Sequence, residues 1–232
     1  MFELTQIMRQ GDDVDFANLL NRLREGNQTS DDIKLLQTRC FSQTSSEYQS
    51  AFNYPHLFLK NDKVDDFNSQ CFENANSYKL SIMAADKVIE DVSPEIRDKV
   101  LSKIPNNPRK TYQLFTKLDV AENLHFDVTS NVDTNDGLTN GAECVVKKIS
   151  VKQNAQADGI IWGEFDSVDI GQNTRRRFKQ LYRQSPHIDK SWTPILPQNK
   201  KLLIGGKFEV TRRQFPIRPS SAKTIHLSLI HI

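Results

Sequence analysis

The sequence predicts an α/β domain, then a small β-rich module, then a return strand near the C-terminus. Three observations predict it. Phe16, Leu19, Leu20 and Leu23 recur at i, i+3, i+4 and i+7, the spacing of one helix face. His56–Leu59, followed by Asn61 and a second apolar stripe through Val64, Phe67 and Cys71, reads as strand, turn and helix. From Tyr112 onward, short β-prone segments alternate with polar loops.

In chain order, Asp12 is the expected cap of the first helix and Gly26 its stop. Thr29 and Asp32 have the spacing of a reciprocal cap and precede Ile33, Leu35 and Leu36, so a short helix is predicted to run into Cys40. Residues 48–56 read as a loop, and Asn61 is placed to cap the helix that follows the first strand. Strands are predicted near Tyr112–Leu118, Leu124–Thr129, Glu143–Val151, Gly159–Phe165 and Lys207–Phe215. Asn135, Asp136, Gly137, Asn140 and Gly141 signal tight turns, and Ser185–Lys201, with three prolines, reads as a long surface connection.

Composition narrows the function. The 232 residues, 37% apolar, can build a real core, and no stretch approaches the roughly 18 consecutive apolar residues of a membrane span. The opening segment, with Gly11, Asp12 and Asp13, lacks the basic and apolar stretches of a signal peptide, which predicts an intracellular protein without a membrane partner. Cys40, Cys71 and Cys144 lie too far apart for a zinc knuckle or disulfide framework, and the five histidines are scattered, so no metal held by protein ligands is expected. Charge is segregated: residues 1–144 carry 15 Lys/Arg against 23 Asp/Glu, a net of −8, and residues 145–232 carry 16 against 6, a net of +10. A basic half of this kind suits a polyanion-binding surface, or else a solvated face.

Particular segments go further. Phe2–Gln10 (FELTQIMRQ) followed by Phe16–Gly26 resembles motif IV and its following helix in Pif-type DNA helicases of superfamily one, including the helicase part of Helitron transposon proteins. His56–Asn68 is similar to the strand and Asn turn of their second RecA-like domain. Asn131–Ile149, with its D-G-L-x-N-G-A passage, resembles the lead into their inserted barrel of Src-homology-three type. Ile161–Asp166, Ser191–Ile195 and Arg212–Ser228 follow in family order, the last resembling motif V.

The resemblance implies a second RecA-like motor domain in residues 1–130, an inserted β barrel in 131–210, and a return strand with motif V in 211–228. Residues 229–232 look foreign to the family. It also implies incompleteness at both ends, because the G-x-x-x-x-G-K-[ST] phosphate loop and the acidic Mg²⁺ motif that the family places earlier do not occur. The cofactor implied is ATP with Mg²⁺, held mainly by a first RecA-like domain. The partners implied are that domain and single-stranded DNA, with 5′-to-3′ translocation as the activity. The nucleus is the first expected location and the mitochondrion the second.

Residue by residue, the resemblance directs Arg9, with Gln10, to the nucleotide γ-phosphate across an interdomain cleft. Thr224, His226 and Ser228 fall on the motif V loop, where they would bind DNA phosphate, or they form a plain terminal strand. Asn61 is a helix cap or a backbone-phosphate contact, and Gly137, Asn140 and Gly141 are turn-formers that aim the barrel. Arg175, Arg176 and Arg177, with Lys179 and Arg183, form the densest basic run and are candidates for phosphate contact. Interleaved Phe178 and Tyr182 either stack on bases or form the apolar stripe of a short helix. Trp162 and Trp192 are expected in the barrel core. The rival reading is a non-catalytic nucleic-acid-binding module or an inactive transposon remnant.

Overall fold

The computed structural model describes residues 13–42, 54–151 and 156–225, in two compact units divided after Tyr54. In the first unit, α1 (Val14–Glu25) is capped by Asp13, one residue beyond the expected Asp12, whose carboxylate accepts from the Phe16 N–H at 3.0 Å. Gly26 ends it at φ 72°, and the Asn27 N–H returns to the Arg22 carbonyl at 2.8 Å, which satisfies carbonyls the helix leaves open. The predicted reciprocal cap opens α2 (Ser30–Gln37): Thr29 Oγ1 accepts from the Asp32 N–H, and the Asp32 carboxylate accepts from the Thr29 N–H. Arg22 grips the same carboxylate with two donors at 2.7 and 2.6 Å, tying α1 to α2 and holding Asp32 well below the usual carboxylate range.

The second unit begins with β1 (His56–Phe58) and α3 (Asn61–Asn74). The capping expected of Asn61 is not realised. Lys60 takes the cap position, and no side chain closes the first turn. After α3 come β2 (Lys79–Met83), β3 (Ala85–Val88) and α4 (Pro94–Leu101), all three beyond what the pattern predicts. Tyr112–Leu118 is not a strand, because Tyr112 and Gln113 both take positive φ and break extended backbone; β4 (Lys117–Ala121) starts only where that segment ends. Then β5 (His125–Val128), β6 (Glu143–Val151) and β7 (Gly159–Phe165) follow almost as predicted. The basic run splits into two six-residue helices, α5 (Gln172–Arg177) and α6 (Lys179–Gln184). The expected connection at 185–201 holds two strands instead, β8 (Thr193–Ile195) and the start of β9 (Gln198–Ile204). The chain ends its described course through β10 (Phe208–Gln214), β11 (Ile217–Pro219) and β12 (Ala222–Thr224).

An antiparallel sheet in the order β11-β5-β6-β7-β8 carries the main core, where Phe126, Val146, Ile161, Phe215 and Ile217 are at most 1% exposed. A smaller sheet, β3-β10-β9, packs Val88, Leu202, Ile204 and Val210 with Val100 of α4. β2 pairs with β4, and β1 pairs in parallel with β12. The expected barrel does not close among the described residues. The five-stranded sheet ends in two three-residue edge strands, and both carry a proline, Pro194 in β8 and Pro219 in β11, which cannot donate to a further ladder. Trp162 is buried as expected, its indole N–H donating to Ser150 Oγ at 3.1 Å, whereas Trp192 is only half-buried.

Candidate nucleic-acid interface

A cleft of about 600 Å³ opens between α3, the turn before β4, and the β5, β11 and β12 segments. Asn61, at the first turn of α3, and Thr224, the last residue of β12, both line it, so the fold brings together two residues that lie 163 positions apart in sequence. The parallel pairing of β1 with β12, with Phe58 opposite Thr224, is what brings them close. In the same lining, Asn68 of α3 uses both ends of its amide: Nδ2 donates to the Ala222 carbonyl at 3.2 Å and Oδ1 accepts from the Ala222 N–H at 2.8 Å. The helix thereby supplies what a neighbouring strand would.

Four of the residues that line the cleft, His125, Asp127, Arg218 and Lys223, belong to a charge web that the sequence pattern does not announce. Asp127, only 2% exposed at its side chain, meets Arg218 Nη2 at 3.1 Å and Lys223 Nζ at 2.9 Å. Lys223 reaches Glu143 at 2.5 Å, and Glu143 meets His125 Nδ1 at 3.0 Å. Burial pushes the Glu143 carboxyl up, but hydrogen bonds from His125 and Lys223 outweigh it and hold the group below its ordinary range. For Lys223 burial pulls the ammonium down, yet its bonds to Glu143 and Asp127 prevail and raise it. Those cations are committed to the fold. The signal available in sequence was the alternation of Arg218 and Lys223 with the small residues of Ser220–Ala222, but their partners stand on β5 and β6, some 80 to 90 positions earlier.

The arginine run stands apart from the cleft lining. Arg175 turns inward: Nη1 donates to the Ile170 carbonyl and to Thr193 Oγ1, both at 2.7 Å, and Nη2 donates to the Val168 carbonyl. Arg176 and Arg177 are exposed, the latter with its guanidinium 5.0 Å from the Phe178 ring. Tyr182 realises the packing alternative, edge-on to Trp162 at 5.2 Å with its hydroxyl donating to the Trp192 carbonyl at 2.6 Å; burial pushes its phenol up to about 12. The D-G passage anchors this helix. Asp136 accepts from the Asn173 and Thr174 N–H groups at 2.7 and 2.8 Å, capping α5 from 37 residues away. Gly171, at φ 80°, faces Thr193 so closely that a Cβ would sit 2.4 Å from its side chain. Arg9, Gln10, His226 and Ser228 lie outside the described residues. Among those described, no group of His, Cys, Asp or Glu could hold a metal, and no helix is long and apolar enough to cross a membrane.

The chain aligns over 96% of its length with the crystal structure of Pif1 helicase from Candida albicans, at TM-score 0.59 and 18% identity. The fold resembles that of Pif1 helicases. Bacteroides Pif1 bound to single-stranded DNA matches over 98% of the chain at TM-score 0.51 and 21% identity, and Bacteroides sp Pif1 in complex with ADP-AlF4 matches over 96% at 0.51 and 18%. The chain spans less than half of each, 47%, 42% and 42% respectively. No protein-family model and no curated protein matches the sequence.

Proposed function

We propose that this chain is the second motor domain of an ATP-dependent DNA helicase of the Pif1 kind, which steps 5′ to 3′ along a single strand. What carries the reading is the fold likeness to Pif1 over 96% of the chain, taken with a cleft whose lining includes Asn61 and Thr224, two of the residues that the motif resemblance directs to DNA. The strand would cross that cleft and be held by backbone contacts rather than by base edges, as a translocating motor requires. Exposed Arg176 and Arg177 offer further phosphate contacts. ATP and Mg²⁺ would be held mainly by a first RecA-like domain carrying the phosphate loop, with Arg9 reaching the γ-phosphate as the two domains close and residues 131–210 acting as the inserted module.

Two measurements test this. Fluorescence anisotropy of a labelled oligothymidylate should show binding that weakens steeply as salt rises, and a flat dependence would remove the phosphate-tracking surface. Phosphate release should require a first RecA-like domain supplied in trans, and Arg9→Ala should then lower turnover on the order of 10³-fold while sparing DNA affinity. Turnover by the chain alone would overturn the division of labour, and no turnover on complementation would favour a non-catalytic binding module.

A further inference from the structure

Beyond the cleft, the corner at Pro105–Gln113 has an unusual backbone. Tyr112 and Gln113 both take positive φ, 53° and 62°, although neither is glycine. Two such residues in succession are strained, and they persist only where the surroundings over-determine them. Here the surroundings do so. Thr111 is fully buried, with its hydroxyl donating to the Leu114 carbonyl at 2.8 Å, and the Gln113 N–H closes back onto the Pro108 carbonyl at 2.7 Å.

The result is presentation. Tyr112, 59% exposed, stands beside Arg109 and Lys110 in a concavity of about 270 Å³ whose other lining residues are Pro105, Leu202, Leu203 and Ile204. No acidic residue lines it, and neither Arg109 nor Lys110 has an acidic partner among the described residues. Leu203, 68% exposed, adds an apolar side chain to the same lining. Arg109 also lines the larger cleft that holds Asn61 and Thr224, so the two concavities share a cation at their junction.

We infer that the Pro105–Tyr112 corner is a binding site for single-stranded nucleic acid, in which Tyr112 stacks on one base while Arg109 and Lys110 hold the flanking phosphates. A strand leaving the main cleft passes Arg109 and reaches Tyr112 next, which extends the proposed track by about one nucleotide. An aromatic face sharing a concavity with two cations suits a nucleotide, whose base is planar and whose phosphate is anionic; an acidic peptide would use the cations and leave the ring idle. The strained turn holds the ring outward before the ligand arrives, so little side-chain ordering remains to be done on binding.

The test takes the extended track to act within a chain that binds single strands, as proposed above, so native binding is measured first, by anisotropy of labelled oligothymidylate over a salt series. Tyr112→Ala should weaken affinity about tenfold with the salt slope unchanged, because stacking is not an ionic contact. Arg109→Ala with Lys110→Ala should reduce the salt slope by about 2. Tyr112→Gly separates ligand contact from fold: glycine accepts positive φ, so this variant should melt no lower than the native chain yet lose the same tenfold. Gln113→Gly, which relieves strain without touching the ring, should bind as the native chain does. Native-like affinity in both Tyr112 variants would overturn this site while leaving the proposed function standing, and absence of native binding would overturn both. Displacement by polyglutamate as effective as by oligothymidylate would also overturn it, in favour of an acidic peptide.

Discussion

Two stretches of the basic half use their cations in opposite ways. Along β10, β11 and β12, Arg212, Arg218 and Lys223 point into the protein: Arg212, 1% exposed, grips Asp86 with donors at 2.8 and 2.7 Å and also reaches the Leu114 carbonyl and Thr116. On α5, Arg175 turns inward while its neighbours Arg176 and Arg177 face solvent. A net charge of +10 over residues 145–232 therefore overstates the charge that can meet a polyanion. A strand on a covered sheet buries every second side chain, and a cation there must find a carboxylate, whereas a short helix at a surface leaves most of its circumference in water.

The sharpest way to break this comparison is Arg212→Ala. Asp86, 17% exposed at its side chain, would lose its partner, and stability should fall by about 3 kcal/mol, read as a lower midpoint in urea denaturation. A shift below about 1 kcal/mol would mean that Arg212 is solvated after all.

Within α5, neighbouring arginines should separate cleanly. Arg175→Ala should cost about 2 kcal/mol by freeing the Val168–Ile170 loop from Thr193, with little change in the salt dependence of DNA binding. Arg176→Glu with Arg177→Glu should leave stability within about 0.5 kcal/mol but flatten the salt slope. If Arg175→Ala flattened the slope as much, its inward pose would not be the one that meets DNA.

The smallest effect is one of pH. Glu143 has its folded value held below the ordinary 4.5, so its share of stability is present above that value and is lost as the solution is acidified through the folded value. Lys223 is raised above 10.5, so its share is present below 10.5 and is lost as pH climbs through the folded value. Lys223→Met should blunt both limbs of a stability–pH profile, since one side chain serves both, and an unchanged acid limb would uncouple Glu143 from it.

How much was legible follows the same division between local and distant. β6 and β7 lie where the sequence places them, because β-branched and aromatic residues are frequent there between turn signals. The reciprocal cap at Thr29 and Asp32 was visible because both partners lie within one turn. β8 was missed because three residues including Pro194 look like loop, although each is buried against β7. The turn at Asp136 was recognised for its glycine, but its carboxylate serves a helix 37 residues on, and nothing local announces that. At the candidate site the sequence supplied Asn61 and Thr224 through resemblance, while Asp127, Glu143, Lys223 and the Tyr112 corner needed coordinates, since each depends on partners from other strands or on backbone angles.

The Asn68–Ala222 contact has a consequence for the order in which the molecule can assemble. Its two hydrogen bonds, like the pairing of β1 with β12, join residues 154 or more positions apart, whereas the β6–β7 hairpin closes over a short loop. Closing the longer loop costs more chain entropy, which a three-residue strand, one amide side chain and the bond from the His56 N–H to the Ser221 carbonyl must offset. The cleft that carries Asn61 and Thr224 is thus the part of the second unit least able to form early in folding, and the part that can open while the five-stranded sheet stays intact.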